Sequence, residues 1–245
     1  MLSEKRVSRP VSKFDRPLLP EPMTYRVVFS KVGNLQFFSH LDLQRTWQRV
    51  LVRASIPMWY TQGFNPHSKI VFGIPLSVGT EGTHEMVDLR IDRAITPDEM
   101  RAELTDEMQV SAVYIPTTAF SDIAYATYTV TVSDPSAASV DADAVEALFA
   151  PGAAPILMTK RTKSGDREMD ILPLIREIHA AREADGTLIL HATLAAGGSA
   201  NLSPEFLVAA LREKLGMLMD TEHPDVCWYR ILRTGFLCAD GSEFR

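Results

Sequence analysis

Cysteine is scarce in this chain. Only Cys227 and Cys238 occur among its 245 residues, so there is no disulfide framework, no zinc knuckle and no three-cysteine iron–sulfur set. Long apolar runs are missing too. No stretch approaches the roughly 18 residues that span a bilayer, and the opening MLSEKRVSRPVSKFDRP lacks the apolar core of a secretory signal. These absences point to an unexported, cytoplasmic protein with no membrane partner, no bound metal and no cofactor. The familiar catalytic signatures are also lacking: no Gly-Lys-Ser/Thr phosphate loop, no Gly-x-Ser-x-Gly, no His-Glu-x-x-His and no dinucleotide fingerprint after the first strand.

What is present is an ordinary globular composition, 46% apolar and 23% charged, long enough for two domains of about 110 to 120 residues. The net charge of −6 hides an uneven distribution. Residues 23–80 hold six basic residues against the single acid Asp42, whereas residues 81–245 hold 14 against 27. A surface that is acidic over most of its length repels a phosphate backbone, so a general nucleic-acid coat protein is excluded, but one local basic site in the first third is not.

The order of elements suggests an α+β fold of two tandem ferredoxin-like sandwiches with antiparallel sheets. Residues 1–22, rich in Lys, Arg, Pro and Ser, read as a flexible arm. A first domain over 23–116 reads as a strand at Tyr25–Lys31, a helix from His40 to about Ala54 capped by Ser39 and Asp42, and extended pieces at Lys69–Leu76 and Glu85–Ile91. A helix opened by Thr96-Pro97 and running to about Met108, then a strand at Gln109–Ile115, complete it. A second domain over 125–235 repeats the order more loosely: a strand at Ala126–Val132, a helix at Asp141–Phe149 and a hairpin around Ser164-Gly165. A short inserted helix at Leu172–Ala181, a strand at Thr187–Leu194, a helix from Ser203-Pro204 to Leu215 and a strand at Val226–Thr234 follow, with 236–245 as a tail.

Two stretches carry the residues of chemical interest. On a 100° wheel Leu43, Trp47, Val50 and Leu51 share one face of the first helix, and Arg45, Arg49 and Arg53 line the opposite one. Such a row reads equally as a solvated face or as an anion site. The scarcity of acids at i±3 and i±4 favours a phosphate partner, because unpaired like charges repel by a few tenths of a kcal/mol per pair. The second stretch is Trp59-Tyr-Thr-Gln-Gly-Phe-Asn-Pro-His-Ser-Lys69. It is either a turn with core aromatics or a loop that offers Gln62, Asn65, His67 and Lys69 to RNA, with Phe64 or Tyr60 stacking a base. His40, at the helix start, and His67 form a candidate acid–base pair for metal-free cleavage of RNA. The loop is expected to bring Gln62, Asn65 and His67 within reach of His40.

The segments Phe38-Ser-His-Leu-Asp-Leu-x-Arg45, Gln62-Gly-Phe-Asn-Pro-His67, Pro75-Leu-x-Val-Gly79 and Glu85-x-Val-Asp88 resemble a bacterial family of unknown function associated with radical-SAM proteins. The resemblance extends over roughly residues 23–235, with Lys160-Arg-x-Lys-x-Gly165 and Gly198-Ser-x-Asn-Leu-x-Pro-Glu205 in the second half. It implies a radical-SAM partner protein whose cluster this chain, lacking the cysteines, does not itself hold. More distantly the fold is similar to tandem ferredoxin-like RNA-processing proteins, a fold-level analogy. The leading expectation is an RNA-binding accessory protein that presents RNA to a radical-SAM modifying enzyme. The alternatives are an endoribonuclease using His40 and His67, and a scaffold docking the radical-SAM partner.

Overall fold

The computed structural model describes residues 15–101, 106–162, 165–198 and 200–245. It is a mixed α+β structure with a mostly antiparallel sheet and few helices. Two compact units divide it: the first reaches to Pro75 and takes Glu85–Thr117, and the second takes Leu76–His84 and Thr118–Arg245.

In the first unit the strands are β1 (Leu18–Lys31), β2 (Ile70–Phe72), β3 (Thr80–Arg93), of which the residues from Glu85 on belong here, and β4 (Val110–Tyr114), with one helix, α1 (His40–Arg53). The order is β4–β1–β3, and β2 pairs with β3 antiparallel, Val71 opposite Asp88. Alternation puts Tyr25, Val27 and Phe29 of β1 and Val87, Leu89 and Ile91 of β3 into one core. Leu43, Trp47 and Leu51, one helical turn apart on α1, fill it from above, with the Phe29 and Trp47 rings edge to face at 5.0 Å. On the other face of the sheet Arg26, fully buried, donates from Nε and Nη2 to the two oxygens of Asp88 at 2.8 and 2.9 Å.

Helix α1 starts as its sequence suggests. Ser39 Oγ accepts from the Asp42 N–H at 3.2 Å and donates to the Asp42 carboxylate at 2.6 Å. Its end is a Schellman motif: Ser55 takes the left-handed conformation (φ 54°), its N–H donates to Val52 O, and the Ile56 N–H donates to Leu51 O. Leu51 and Ile56 are both in the core, supplying the apolar contact that accompanies this cap.

In the second unit the strands are β5 (Ile123–Ser133), β8 (Ile175–Arg182), β9 (Leu188–Ala195) and β10 (Trp228–Cys238), and the helices are α2 (Ala142–Phe149) and α3 (Glu205–Leu215). The order is β10–β5–β9–β8, antiparallel along these four, and the first residues of β3, which belong to this unit, lie parallel to β10 with Thr80 opposite Ile231. A hairpin, β6 (Leu157–Thr162) and β7 (Gly165–Asp170), forms its own two-stranded sheet.

Four elements differ from the expectation. Strand β1 begins at Leu18, so Pro20 and Pro22 sit in extended chain rather than in an arm; the fixed φ of proline is compatible with a strand where no ladder N–H is required. The rest of the expected arm, residues 1–14, lies outside the described residues. At Thr96 the capping interactions do form: Glu99 Oε2 accepts from the Thr96 N–H at 2.9 Å, and Thr96 Oγ1 accepts from the Glu99 N–H at 3.3 Å. They close a turn over residues 97–100 rather than a helix, and residues 102–105 lie outside the described set. The helix expected at Leu172–Ala181 is a 3-10 turn, Leu172–Leu174, followed by strand β8. Its Leu174, Ile178 and Ala181 have helical spacing, but the paired β9 next to it supplies a ladder that outweighs local preference. The expected tail also differs, since β10 runs on to Cys238 and Phe244 behind it is fully buried.

Candidate nucleic-acid interface

After the Schellman motif the chain runs through Pro57 and forms a clip. Met58 bridges Ile91, Tyr60 bridges Ser68, and the Thr61 N–H donates to His67 O at 3.0 Å. The His67 N–H returns a bond to Thr61 Oγ1 at 3.1 Å, so residues 62–66 form a five-residue tip held at its base. Gly63 adopts φ 136°, a conformation that side chains rarely take. This turns the backbone so that Phe64 stands at 112% relative exposure, without protein contact to hide its ring. The bland reading of the loop, a turn with core aromatics, therefore fails at Phe64. A fully exposed aromatic at the tip of a pinned loop costs solvation and is a ready stacking platform.

The His67 ring is also exposed, but it is oriented. Its Nδ1 lies 3.1 Å from Thr61 Oγ1 and 3.3 Å from Asn65 O. A carbonyl only accepts, so the Asn65 contact requires Nδ1–H and leaves Nε2 as the ring nitrogen without a partner among these contacts.

Beside the loop lies a cleft of about 410 Å³. Gln48, Val52 and Ser55 form its helix wall, Tyr60, Pro66 and His67 form its loop wall, and buried Ile56 and Met58 lie at its floor. Gln62, Phe64 and Asn65 project from the tip next to His67 and are exposed. Lys69 is not part of this group. Ile70 and Phe72 pack on the core, so alternation sends Lys69 and Val71 to the opposite sheet face, where they border a depression of about 170 Å³ with Thr24, Asp88 and Arg90.

His40 and His67 are not brought together. His40 is exposed at the start of α1 with its ring edge-on to Phe72 at 5.1 Å, whereas His67 lies beside Gln48, Val52 and Ser55. At 1.5 Å of rise per residue those positions are roughly 12 to 20 Å along the helix axis from His40. No single phosphate reaches both rings, and the two-histidine cleavage reading has no geometric support.

Arg45, Arg49 and Arg53 are all exposed along α1. Arg45 lies 3.7 Å from Asp42, a pair more than half exposed on both sides and so worth little in water. Arg49 and Arg53 make no ion pair with any described residue. On the wheel Val52 lies between Gln48 and Arg45, so the arginine row begins where the helix wall of the cleft ends.

A larger cavity, about 870 Å³, lies elsewhere, beside α2 and β8 in the second unit. Asp143, Glu146, Asp170 and Glu177 line it against the single basic residue Arg176, a sign of charge that repels phosphate. Among the described residues no group of three or more His, Cys, Asp or Glu is placed to hold a metal ion, and no helix is long and apolar enough to cross a membrane. Burial, and then the charge of Asp134, push the Cys227 thiol above its ordinary value, which keeps it from acting as a thiolate.

Sequence reasoning missed Gln48, Val52 and Ser55 as site residues. The available signal was Ser55 itself, standing two residues past the helix end before Ile56-Pro57, where a glycine is usual.

A bacterial family described as "Uncharacterized protein conserved in bacteria (DUF2344)" matches the chain over residues 24–204. No curated protein matches it.

Proposed function

The chain belongs to this uncharacterized bacterial family, and we propose that it is a single-stranded-RNA-binding accessory protein, which presents RNA to a radical-SAM modifying enzyme. The observation that carries the binding half is the combination, on one edge of the first unit, of the bare Phe64 ring with the exposed arginine row of α1. Stacking platforms beside unpaired guanidinium groups are what a flexible, charged, base-bearing strand requires, and a folded protein gains nothing from either in isolation. The partner half rests on the motif resemblance alone.

We also read each unit as a ferredoxin-like sandwich. In a split βαβ arrangement, strands joined through a helix leave one strand between them. The orders β4–β1–β3 with β2 on β3, and β10–β5–β9–β8 with the β6–β7 hairpin as an insertion, support this reading.

Incubation of the pure protein with labelled cellular RNA in EDTA tests the function. Retention of intact RNA supports the proposal. Cleavage would replace it with the endoribonuclease reading, and absence of both would leave the arginine row to an acidic protein partner.

A further inference from the structure

We infer that the cleft between the last turns of α1 and the His67 loop is a pocket for one unstacked nucleobase of single-stranded RNA. The inference rests on the RNA-binding reading above and assigns the part of the strand that enters the protein. A cleft of about 410 Å³ lies within the range of small-molecule sites, and its walls and floor have the character of a base pocket. Ile56 and Met58, 4% and 6% exposed, offer an apolar floor. Tyr60 and the clipped His67 imidazole stand on one wall as ring partners. The Gln48 amide on the other wall presents a donor and an acceptor side by side, the pattern that meets the amino and ring nitrogens of adenine. His67 Nδ1 is taken, so Nε2 is the ring nitrogen left to hydrogen-bond an occupant.

One further observation favours a base as the occupant. Val52, on the helix wall, is followed around the helix by Arg45 and then Arg49, so a base in the cleft leaves its own phosphates beside the arginine row.

The test fills the cleft and removes the bases separately. Val52 is 69% exposed, so Val52→Trp leaves the core untouched while placing an indole across the cleft; circular dichroism verifies folding. Fluorescence anisotropy then compares a short oligoadenylate with an abasic ribose-phosphate strand of the same length. On oligoadenylate the substitution should weaken binding roughly five- to hundredfold, the worth of one stacked base. On the abasic strand, held by the arginines alone, it should change nothing. Gln48→Ala, which leaves the cleft open, should weaken oligoadenylate several-fold and spare the abasic strand. Adenosine monophosphate alone should bind far more weakly than the oligomer; equal affinity would make a free nucleotide the occupant and overturn the inference. An equal loss on both strands, or none on oligoadenylate, would also overturn the base pocket, while abasic binding would still uphold the RNA reading. If neither strand binds at low salt, both fall together.

Discussion

Asp88 is the residue whose removal should damage the first unit most for its size. The Arg26 side chain is 0% exposed and Asp88 is 16% exposed, and two parallel charge-assisted bonds join them. Asp88→Ala leaves a guanidinium in a site that water does not reach. Breaking a buried pair from one side costs about 3–5 kcal/mol, and the partial exposure of Asp88 places the expectation at the low end, near 3 kcal/mol. For a chain of this size that corresponds to a fall in Tm of roughly 6 to 12 °C. Urea unfolding followed by tryptophan fluorescence is the assay, with Trp47 reporting from the core of this unit. The decisive comparison is Arg26→Met with Asp88→Leu, which replaces both charges by apolar groups of similar bulk. Because solvation is lost on both sides of such a pair, the double variant should recover most of the stability. A cost below about 1 kcal/mol for Asp88→Ala, or a double variant worse than the single, would refute the account. It would also reopen Asp88, part of the family-like Glu85-x-Val-Asp88 motif, as a functional rather than a structural residue.

Three other outcomes are expected. Burial alone would raise the Asp134 carboxyl, but hydrogen bonds from the Ser136 hydroxyl and from the Leu218 and Ser136 N–H groups hold it below its ordinary 3.8; its stabilisation is therefore full above about pH 4 and lost as pH falls through the folded value. Asp134→Asn should cost about 2 kcal/mol at neutral pH, and the gap in Tm from the wild type should close as the pH is lowered through the folded value. Ser55→Gly should raise stability by about 1 kcal/mol in the same urea assay, since glycine relieves the left-handed strain of the cap. In RNA titrations Arg49→Ala should reduce the magnitude of the salt slope by about 0.7, whereas Phe64→Ala should lose roughly 1–3 kcal/mol with the slope unchanged; identical signatures for the two variants would contradict the division between charge and stacking.

The parts of the fold that were legible in the sequence are those fixed within a few residues. Ser39 and Asp42 mark the start of α1 because a cap is a local hydrogen-bond exchange, and its core face follows from the spacing of Leu43, Trp47 and Leu51. The limits of local reading show at Thr96 and at Ile175. Thr96 and Glu99 make their reciprocal bonds, but four residues suffice for that, and the described residues 97–100 close a turn rather than a helix. Ile175–Arg182 has helix-favouring Ala, Glu and Arg, yet its backbone groups find partners in Leu188–Leu194, the next strand across the turn at 183–187, and that pairing outweighs the local preference. The hairpin was read correctly as a hairpin, while its separation from the main sheet depends on β8 occupying the place beside β9.

The candidate site was legible by composition and wrong in one distance, and the reason is the unequal rise of its two walls. A chain returning beside a helix covers about 3.3 Å per residue when extended, against 1.5 Å per residue for the helix. His67 lies beside Val52, and His40 is twelve helical positions earlier, about 18 Å along the axis. An extended chain covers that distance in five to six residues, which predicts a partner for His40 near residue 72 or 73. Phe72 is the residue found there, its ring 5.1 Å from the His40 ring. The sequence reading placed the loop near the helix correctly but matched its motif to the wrong end. The consequence for mechanism is direct. General acid–base cleavage needs both groups within hydrogen-bond reach of one phosphodiester, and the two histidines instead stand beside positions of α1 about 18 Å apart along its axis.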